Sequence, residues 1–328
     1  MQTTYAVGVD VGGTHLAAGL VERSGRAVRQ TQTLTPTSGP FAIVDAVIDL
    51  IAEATSGTDP SRIAGVGIGL PALIDFRNQS IEFCANLPLA AIDVRSVVAS
   101  RVHLDVTLDN DSNCAAIGES RYGAATGVRD FVMITLGTGV GGALLLNGAL
   151  YRGSRGFAGE IGHMVVRLGG PQCSCGGLGH LESYLGRPAI AARGRDAARI
   201  SRGGALRTRA GGDPDAVTAE HVVQAALAGD SVACGILLEA GEILGEALVG
   251  IVNLLNPRLV VIGGGIAGSA DMLVARAADV VGAKALAGRR DVTVVQALLG
   301  NDAGVLGAAA LALDEHDSRE VPFGERAL

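Results

Sequence analysis

Between Glu160 and Glu182 the sequence gathers the groups best suited to chemistry: Glu160-Ile-Gly-His163, then Cys173-Ser-Cys175-Gly-Gly-Leu-Gly-His180-Leu-Glu182. Two thiols, two imidazoles and two carboxylates share 23 residues, among glycines that let the backbone fold tightly. Zn²⁺ prefers four tetrahedral nitrogen and sulfur ligands, and His163, Cys173, Cys175 and His180 make a complete set. The single residue between the cysteines is unlike the knuckle of a zinc finger. With every position filled by protein, such an ion would be structural and would leave no place for a reactive water. The competing reading is two buried free cysteines and two surface histidines. The concentration of ligands, in a chain with five Cys and six His, favours the metal. Glu160 and Glu182 are surplus to that set and are expected to accept hydrogen bonds from something polar.

Three further motifs offer groups for anions and protons. Asp10-Val-Gly-Gly-Thr14 lies at a strand-to-strand turn, where Gly12 and Gly13 let backbone N–H groups point at an anion and Thr14 adds a hydroxyl. Asp10 could face a Mg²⁺ bridging phosphate oxygens. Leu136-Gly-Thr-Gly-Val-Gly-Gly142 makes the same offer again through Gly137, Thr138 and Gly139. One glycine turn is commonplace, but two that face each other could grip a polyphosphate from both sides. Neither ends in the Gly-Lys-Ser/Thr of the nucleotide P-loop or opens a helix as the dinucleotide fingerprint does, which disfavours hydride chemistry. Gly263-Gly264-Gly265 follows a strand and could receive a flat base or ribose, or simply be a tight connection. Asp109-Asn110-Asp111 ends another strand. A carboxylate there beside an amide could be a general base with an orienting partner, or a helix cap, and either aspartate could take either part.

Such residues work only if strands and helices bring them together. Residues 5–10 read as a buried strand, 16–22 and 27–34 as its antiparallel continuation around Ser24-Gly25. Pro40 opens a helix with Ile43, Val44, Val47, Ile48 and Ile51 near helical period. Strands follow at 63–69 and 106–108, with helices at 94–100 and 115–122. The opening theme then returns: strand 131–136, glycine turn, strand 141–146. Helices are expected at 188–200, 219–228 and 231–255, strands at 259–262 and 292–295, and a closing helix at 303–313. Residues 202–215 read as a flexible loop and 314–328 as a frayed polar end.

The chain of 328 residues is long enough for two cores, and 48% hydrophobic with 18% charged residues argues against disorder. With no Trp and only 3% aromatics, those cores must be aliphatic. A net charge of −7 argues against a general nucleic-acid binder. Cys84, Cys114 and Cys234 lack disulfide-like spacing, no signal segment opens the sequence, and Asn253 and Asn256 interrupt its best apolar window. The expectation is a cytoplasmic protein without a membrane partner.

Taken together these motifs resemble the ROK family of bacterial repressors and sugar kinases, within the hexokinase–actin–Hsp70 fold, and most of all its glucokinase branch. Asp10–Thr14 and Leu136–Gly142 are similar to its two phosphate loops. Gly67-Ile-Gly69-Leu-Pro71 and Asn86-Leu-Pro88 resemble its sugar-side loops, and Gly300-Asn-Asp-Ala-Gly304 also matches. Glu160-x-Gly-His163 with Cys173-x-Cys175-Gly-x-x-Gly-x-x-Glu182 resembles its zinc and sugar signature. The resemblance implies an α/β, two-domain actin-like ATPase fold with ribonuclease H-like halves and an interdomain cleft. Residues 1–114 would form the first domain, with helix 303–314 packing back on it, and 115–302 the second, zinc-bearing one.

It further implies an ATP- and Mg²⁺-dependent kinase acting on the 6-hydroxyl of glucose or a close analogue, with a structural Zn²⁺. Asp111 would be the base, which resolves the local tie with Asp109. Asn86, Asn110, Glu160, His163 and Glu182 would hold sugar hydroxyls, and Gly263–Gly265 the nucleoside. Rivals are an amino sugar (kanosamine, N-acetylmannosamine) or a cyclitol as acceptor, and polyphosphate as donor. A sugar-sensing regulator is disfavoured because the first strand begins by residue 5, leaving no room for a DNA-binding domain ahead of it. Exposed helices in the second half permit a homodimer or homotetramer. Four departures stand out: His15 where Lys is usual, His180 for a third cysteine, Ala72 for Gly, and Leu89-Ala-Ala-Ile92 where Gly-Trp is common.

Overall fold

The computed structural model describes residues 4–200, 204–266, 271–286 and 291–320. The chain divides into two compact units, the first made of residues 1–127, 150–158 and 301–328, the second of 128–149 and 159–300. In the first unit β1 (Tyr5–Val11), β2 (His15–Glu22) and β3 (Ala27–Leu34) form an antiparallel run. After α1 (Pro40–Thr55), β4 (Ile63–Leu70) pairs parallel with β1. A small hairpin of β5 (Leu73–Asp75) and β6 (Ser80–Phe83) precedes α2 (Val94–Val102), and β7 (Val106–Asn110) completes the sheet in the order β3-β2-β1-β4-β7. β7 runs straight into α3 (Asp111–Tyr122). β1, β4 and β7 alternate little because both their faces are covered, and Val7, Val9, Ile68 and Leu108 are all within 1% of complete burial.

The second unit repeats the plan. β8 (Phe131–Leu136) pairs antiparallel with β9 (Val140–Leu146), and β10 (Ala149–Leu150) follows. Five helices come next: α4 (Glu182–Leu185), α5 (Arg187–Ile200), α6 (Ala205–Arg209), α7 (Ala219–Leu227) and the long α8 (Ser231–Leu255). Then β11 (Leu259–Gly263), α9 (Asp271–Lys284) and β12 (Thr293–Gln296) close a sheet ordered β10-β9-β8-β11-β12, with β11 parallel to both neighbours. The chain returns to the first unit with α10 (Ala303–Glu320). This alanine-rich helix lies unusually close to the sheet. A Cβ on Gly8 or Gly67 would run into the carbonyls of Val305 and Ala308, so only glycine permits that approach.

Three expectations change in the structure. The boundary expected at 114/115 falls inside α3, a helix that packs along α10 through Gly118 and Gly307 and so belongs to the first unit. The segment expected as a loop at 202–215 contains α6, held by the buried Leu206; residues 201–203 lie outside the described residues. Residues 314–320, expected to fray, continue α10, where ion pairs of Asp314 with Arg121 and Asp317 with Arg23 hold the helix. The rest of that end lies outside the described residues. Among the described residues no helix is long and apolar enough to cross a membrane.

Candidate active site

In the first unit the chemistry collects where β7 becomes α3. Asp109 is 2% exposed and fully engaged. Its Oδ2 accepts from Arg152 Nε (3.0 Å) and Nη2 (2.6 Å), and its Oδ1 from Asn113 Nδ2 (2.7 Å) and the Asn110 N–H (2.8 Å). Asn110 is the helix cap, its Oδ1 accepting from the N–H groups of Ser112 and Asn113, while its Nδ2 donates to the Ala72 carbonyl at 3.3 Å. The sequence left the cap open among these three residues; Asn110 takes it. Asp111 is thereby left over. Its Oδ1 accepts from the Ser112 N–H (2.7 Å) and Oγ (3.3 Å), and its Oδ2 has no partner among the described residues.

Burial pushes the Asp111 carboxyl up to about 6, against the Ser112 hydrogen bonds that favour its ionised form. Asp10, at the end of β1, is pushed up to about 7 by burial first and by the negative charge of Asp111 second. The two carboxylates therefore feel one another, and the Cys114 thiol beneath them is raised by burial and by Asp109, Asp10 and Asp111. Asp10 rests on the first turn of α10, where a Cβ on Gly304 would stand 2.7 Å from its Cγ. The positive end of a helix dipole suits a carboxylate there. The turn after β1 is tied by the Gly12 N–H to the His15 carbonyl (2.9 Å) and by Thr35 Oγ1 to the Gly12 carbonyl (2.7 Å). Gly13, Thr14 and His15 stay exposed, as does Asn86 beyond β6.

In the second unit the two glycine turns adjoin. The Gly137 N–H donates to the Gly139 carbonyl (2.9 Å) and the Arg187 N–H to the Gly137 carbonyl (3.0 Å). From the turn after β11, the Ile266 N–H reaches the Leu136 carbonyl (3.2 Å), and Gly264 takes the left-handed φ of +89° against that same carbonyl. The Arg187 guanidinium lies beside Gly265 and pairs with Glu220 at 3.0 Å. Gly137–Gly139 and Gly263–Gly265 thus form one glycine-lined edge.

The ligating atoms of His163, Cys173, Cys175 and His180 all lie within 4.8 Å of one another. Cys173 Sγ stands 3.7 Å from His163 Nδ1, and Cys175 Sγ 3.3 Å from His180 Nδ1. Zn–S and Zn–N lengths of about 2.3 and 2.0 Å in a tetrahedron put neighbouring ligands roughly 3.3–3.8 Å apart, so the donor chemistry fits Zn²⁺ and these two pairs stand at ligand spacing. Because His163 turns Nδ1 to the cluster, its Nε2 faces out toward Glu160 Oε2 at 3.7 Å. Glu182 is less idle than the sequence suggested. Its Oε1 accepts from Ser174 Oγ (2.9 Å) and Cys173 Sγ (3.4 Å), its Oε2 from the Val140 N–H (3.0 Å), and its carboxylate packs on Gly139. It therefore joins the metal loop to the second glycine turn. Sequence reasoning missed Arg152, Arg187 and Gln79; the last pairs its amide with the N–H (2.6 Å) and carbonyl (3.2 Å) of Leu108 at the open edge of β7.

Comparison with known proteins supplies the family. The sequence profile of the ROK family matches residues 6–315. A glucokinase of Streptomyces coelicolor is 34% identical over 310 residues, covering 93% of this chain and 96% of that one. A xylose repressor of Caldicellulosiruptor bescii is 32% identical over 204 residues, 62% of this chain and 51% of the repressor. The crystal structure of a ROK family glucokinase from Streptomyces griseus, in complex with glucose and AMPPNP, superposes with a TM-score of 0.87 at 32% identity, over 94% of this chain and 99% of that one. The fold is the α/β actin-like ATPase fold of that structure, with two mixed five-stranded sheets. The chain belongs to the ROK family.

Proposed function

We propose that this chain is a sugar kinase that transfers the γ-phosphoryl group of ATP to the 6-hydroxyl of glucose or a close analogue. The observation that carries the reading is the Asp111 carboxylate: held at the start of α3, raised to about 6, and with one oxygen unclaimed while Asp109 beside it is fully engaged. A base needs an unclaimed oxygen and a pKa near working pH. Asp111 Oδ2 takes the proton of the sugar hydroxyl as its oxygen bonds to the γ-phosphorus and the bond to the ADP oxygen breaks. The turns at Gly12–Thr14 and Gly137–Gly139 offer N–H and hydroxyl donors to the phosphates, and Gly263–Gly265 a flat edge to the nucleoside. Asp10 is the kind of single carboxylate that Mg²⁺ uses alongside phosphates. Mg²⁺ arriving with the nucleotide would neutralise phosphate charge.

On the acceptor side the reading gives sugar hydroxyls to Asn86, Asn110, Glu160, His163 and Glu182. His163 suits the part because Nδ1 faces the metal ligands and Nε2 is turned away from them. Zn²⁺ bound there would be structural, fixing the loop without entering the reaction. Of the departures that raised amino-sugar or cyclitol acceptors, Ala72 (5% exposed) and Leu89 (1%) are packed inside while Ala90 and Ala91 are exposed, so it is the likeness to the glucokinase relative that favours glucose. The test is a panel of sugars, amino sugars and cyclitols, read by ADP release with ATP as donor and by formation of the phosphorylated acceptor with polyphosphate. Glucose with ATP is expected to give the highest kcat/KM. No turnover with any acceptor would reject the kinase reading and turn attention to a sugar-sensing regulator, the activity named for the repressor relative.

A further inference from the structure

We propose that Arg152 is a positioning residue for Asp111: it acts through Asp109 to hold the strand end from which the base projects. The inference rests on the kinase reading above and adds a residue to it. Arg152 lies in the segment Leu150–Ala158, which belongs to the first unit although the residues on either side of it in sequence belong to the second. What seats the segment is visible in its contacts. Arg152 stacks its guanidinium 3.8 Å over the Phe76 ring while both Nε and Nη2 reach Asp109 Oδ2. Gly156, at a φ of +107°, lies so close to the Ile74 carbonyl that a Cβ would collide with it.

The consequence runs along the backbone. An anion as deeply buried as Asp109 needs a countercharge or it turns, protonates or unfolds its surroundings. Arg152 supplies that charge from a planar fork whose direction is set by the stack, so Asp109 is fixed in orientation as well as charge. Its other oxygen then holds the Asn110 N–H and the Asn113 amide, either side of Asp111. Gln79 ties Leu108 from the β5–β6 hairpin, so residues 108, 109 and 110 are each held by a side chain or by their own cap. None of these groups claims Asp111 Oδ2. The arrangement fixes the base without spending it, and its directional part is the Arg152 fork.

The experiment compares wild type, Arg152→Lys, Arg152→Ala and the double variant D109N/R152M by ADP release with glucose and ATP. Glucose affinity is measured by calorimetry, since the chain has no Trp to report binding. Misplacing a catalytic group by about 1 Å can cost on the order of 100-fold in rate. Arg152→Ala is expected to lose roughly 10- to 100-fold in kcat, with glucose KM and dissociation constant within about threefold of wild type. Added guanidinium ion should restore part of that kcat, and Arg152→Lys should fall between the two. A kcat near wild type in Arg152→Ala overturns the proposal, as does a loss that guanidinium leaves untouched and Arg152→Lys shares in full. If Arg152→Ala does not fold, D109N/R152M decides. It removes the buried charge with its partner and keeps an apolar side chain over Phe76, so a folded double variant with reduced kcat supports positioning and one with wild-type kcat refutes it. Absence of turnover in wild type with every acceptor defeats the kinase reading and is separate from these outcomes.

Discussion

Replacing Asp111 by Asn should make the protein more stable, and more so as pH rises. The carboxyl moves from its ordinary 3.8 to about 6 in the fold because burial disfavours the charged form. With its folded pKa raised, an acid costs nothing below the unfolded value. Its penalty grows as pH climbs through the interval between the two pKa values and is complete above the folded one. At about 1.4 kcal/mol per pKa unit, the full penalty at pH 8 is about 3 kcal/mol, and near pH 4.5 about 1 kcal/mol remains. An amide keeps an oxygen for the Ser112 N–H and carries no charge, so Asp111→Asn recovers most of this. It also relieves Asp10, raised in part by the charge of Asp111. For a unit of this size the gain is roughly 6–12 °C in melting temperature at pH 8, shrinking to a few degrees near pH 4.5. Scanning calorimetry of wild type and variant at both pH values measures it. A variant that melts lower than wild type at pH 8, or a difference that does not grow with pH, refutes the claim that Asp111 is held in an unfavourable environment.

Other predictions concern the metal, the pH profile and one close contact. The protein as isolated should contain one Zn²⁺ per chain by elemental analysis. Stripping the metal with a chelator should lower the melting temperature, and either metal-free protein as isolated or unchanged melting would contradict the four-ligand site. The acid limb of kcat/KM should fall near pH 6, with activity lost below it as Asp111 takes up a proton, and a limb near pH 4 would point to another base. Gly304→Ala puts a methyl 2.7 Å from the Asp10 carboxylate carbon, so it should destabilise by roughly 1–3 kcal/mol and weaken activity, measured by melting and ADP release. Wild-type values in both would deny the close packing of α10 on Asp10.

Much of this was written locally in the sequence. The paired Gly-Thr turns at 12–14 and 137–139 were legible because each follows a run of buried-strand residues and the pattern occurs twice. The clustering of His163, Cys173, Cys175 and His180 was legible because the four donors fall close together in the chain. What escaped was non-local. Asp109 and Arg152 are separated by 43 residues, and nothing in either neighbourhood announces that one neutralises the other. Which of Asp109 and Asp111 is tied down could not be read locally, since Asp109 is engaged by the distant Arg152 while Asp111 Oδ1 is held only by the adjoining Ser112. Glu182 looked spare because its three donors come from separate segments, Ser174 and Cys173 in the metal loop and Val140 at the start of β9. The helix at Ala205–Arg209 escaped because a charged, glycine-bounded segment has the composition of a loop, and packing of Leu206 with Ala205 and Ala210 on the core overrides it.

The most direct measurement is ADP production from ATP and Mg²⁺, with and without glucose, by wild-type protein and Asp111→Asn side by side. The account predicts turnover that depends on the sugar in wild type and falls by on the order of 10²- to 10⁴-fold in the variant, while glucose still binds. A variant within about tenfold of wild type, against that expected contribution, or wild-type turnover indifferent to added sugar, would contradict it.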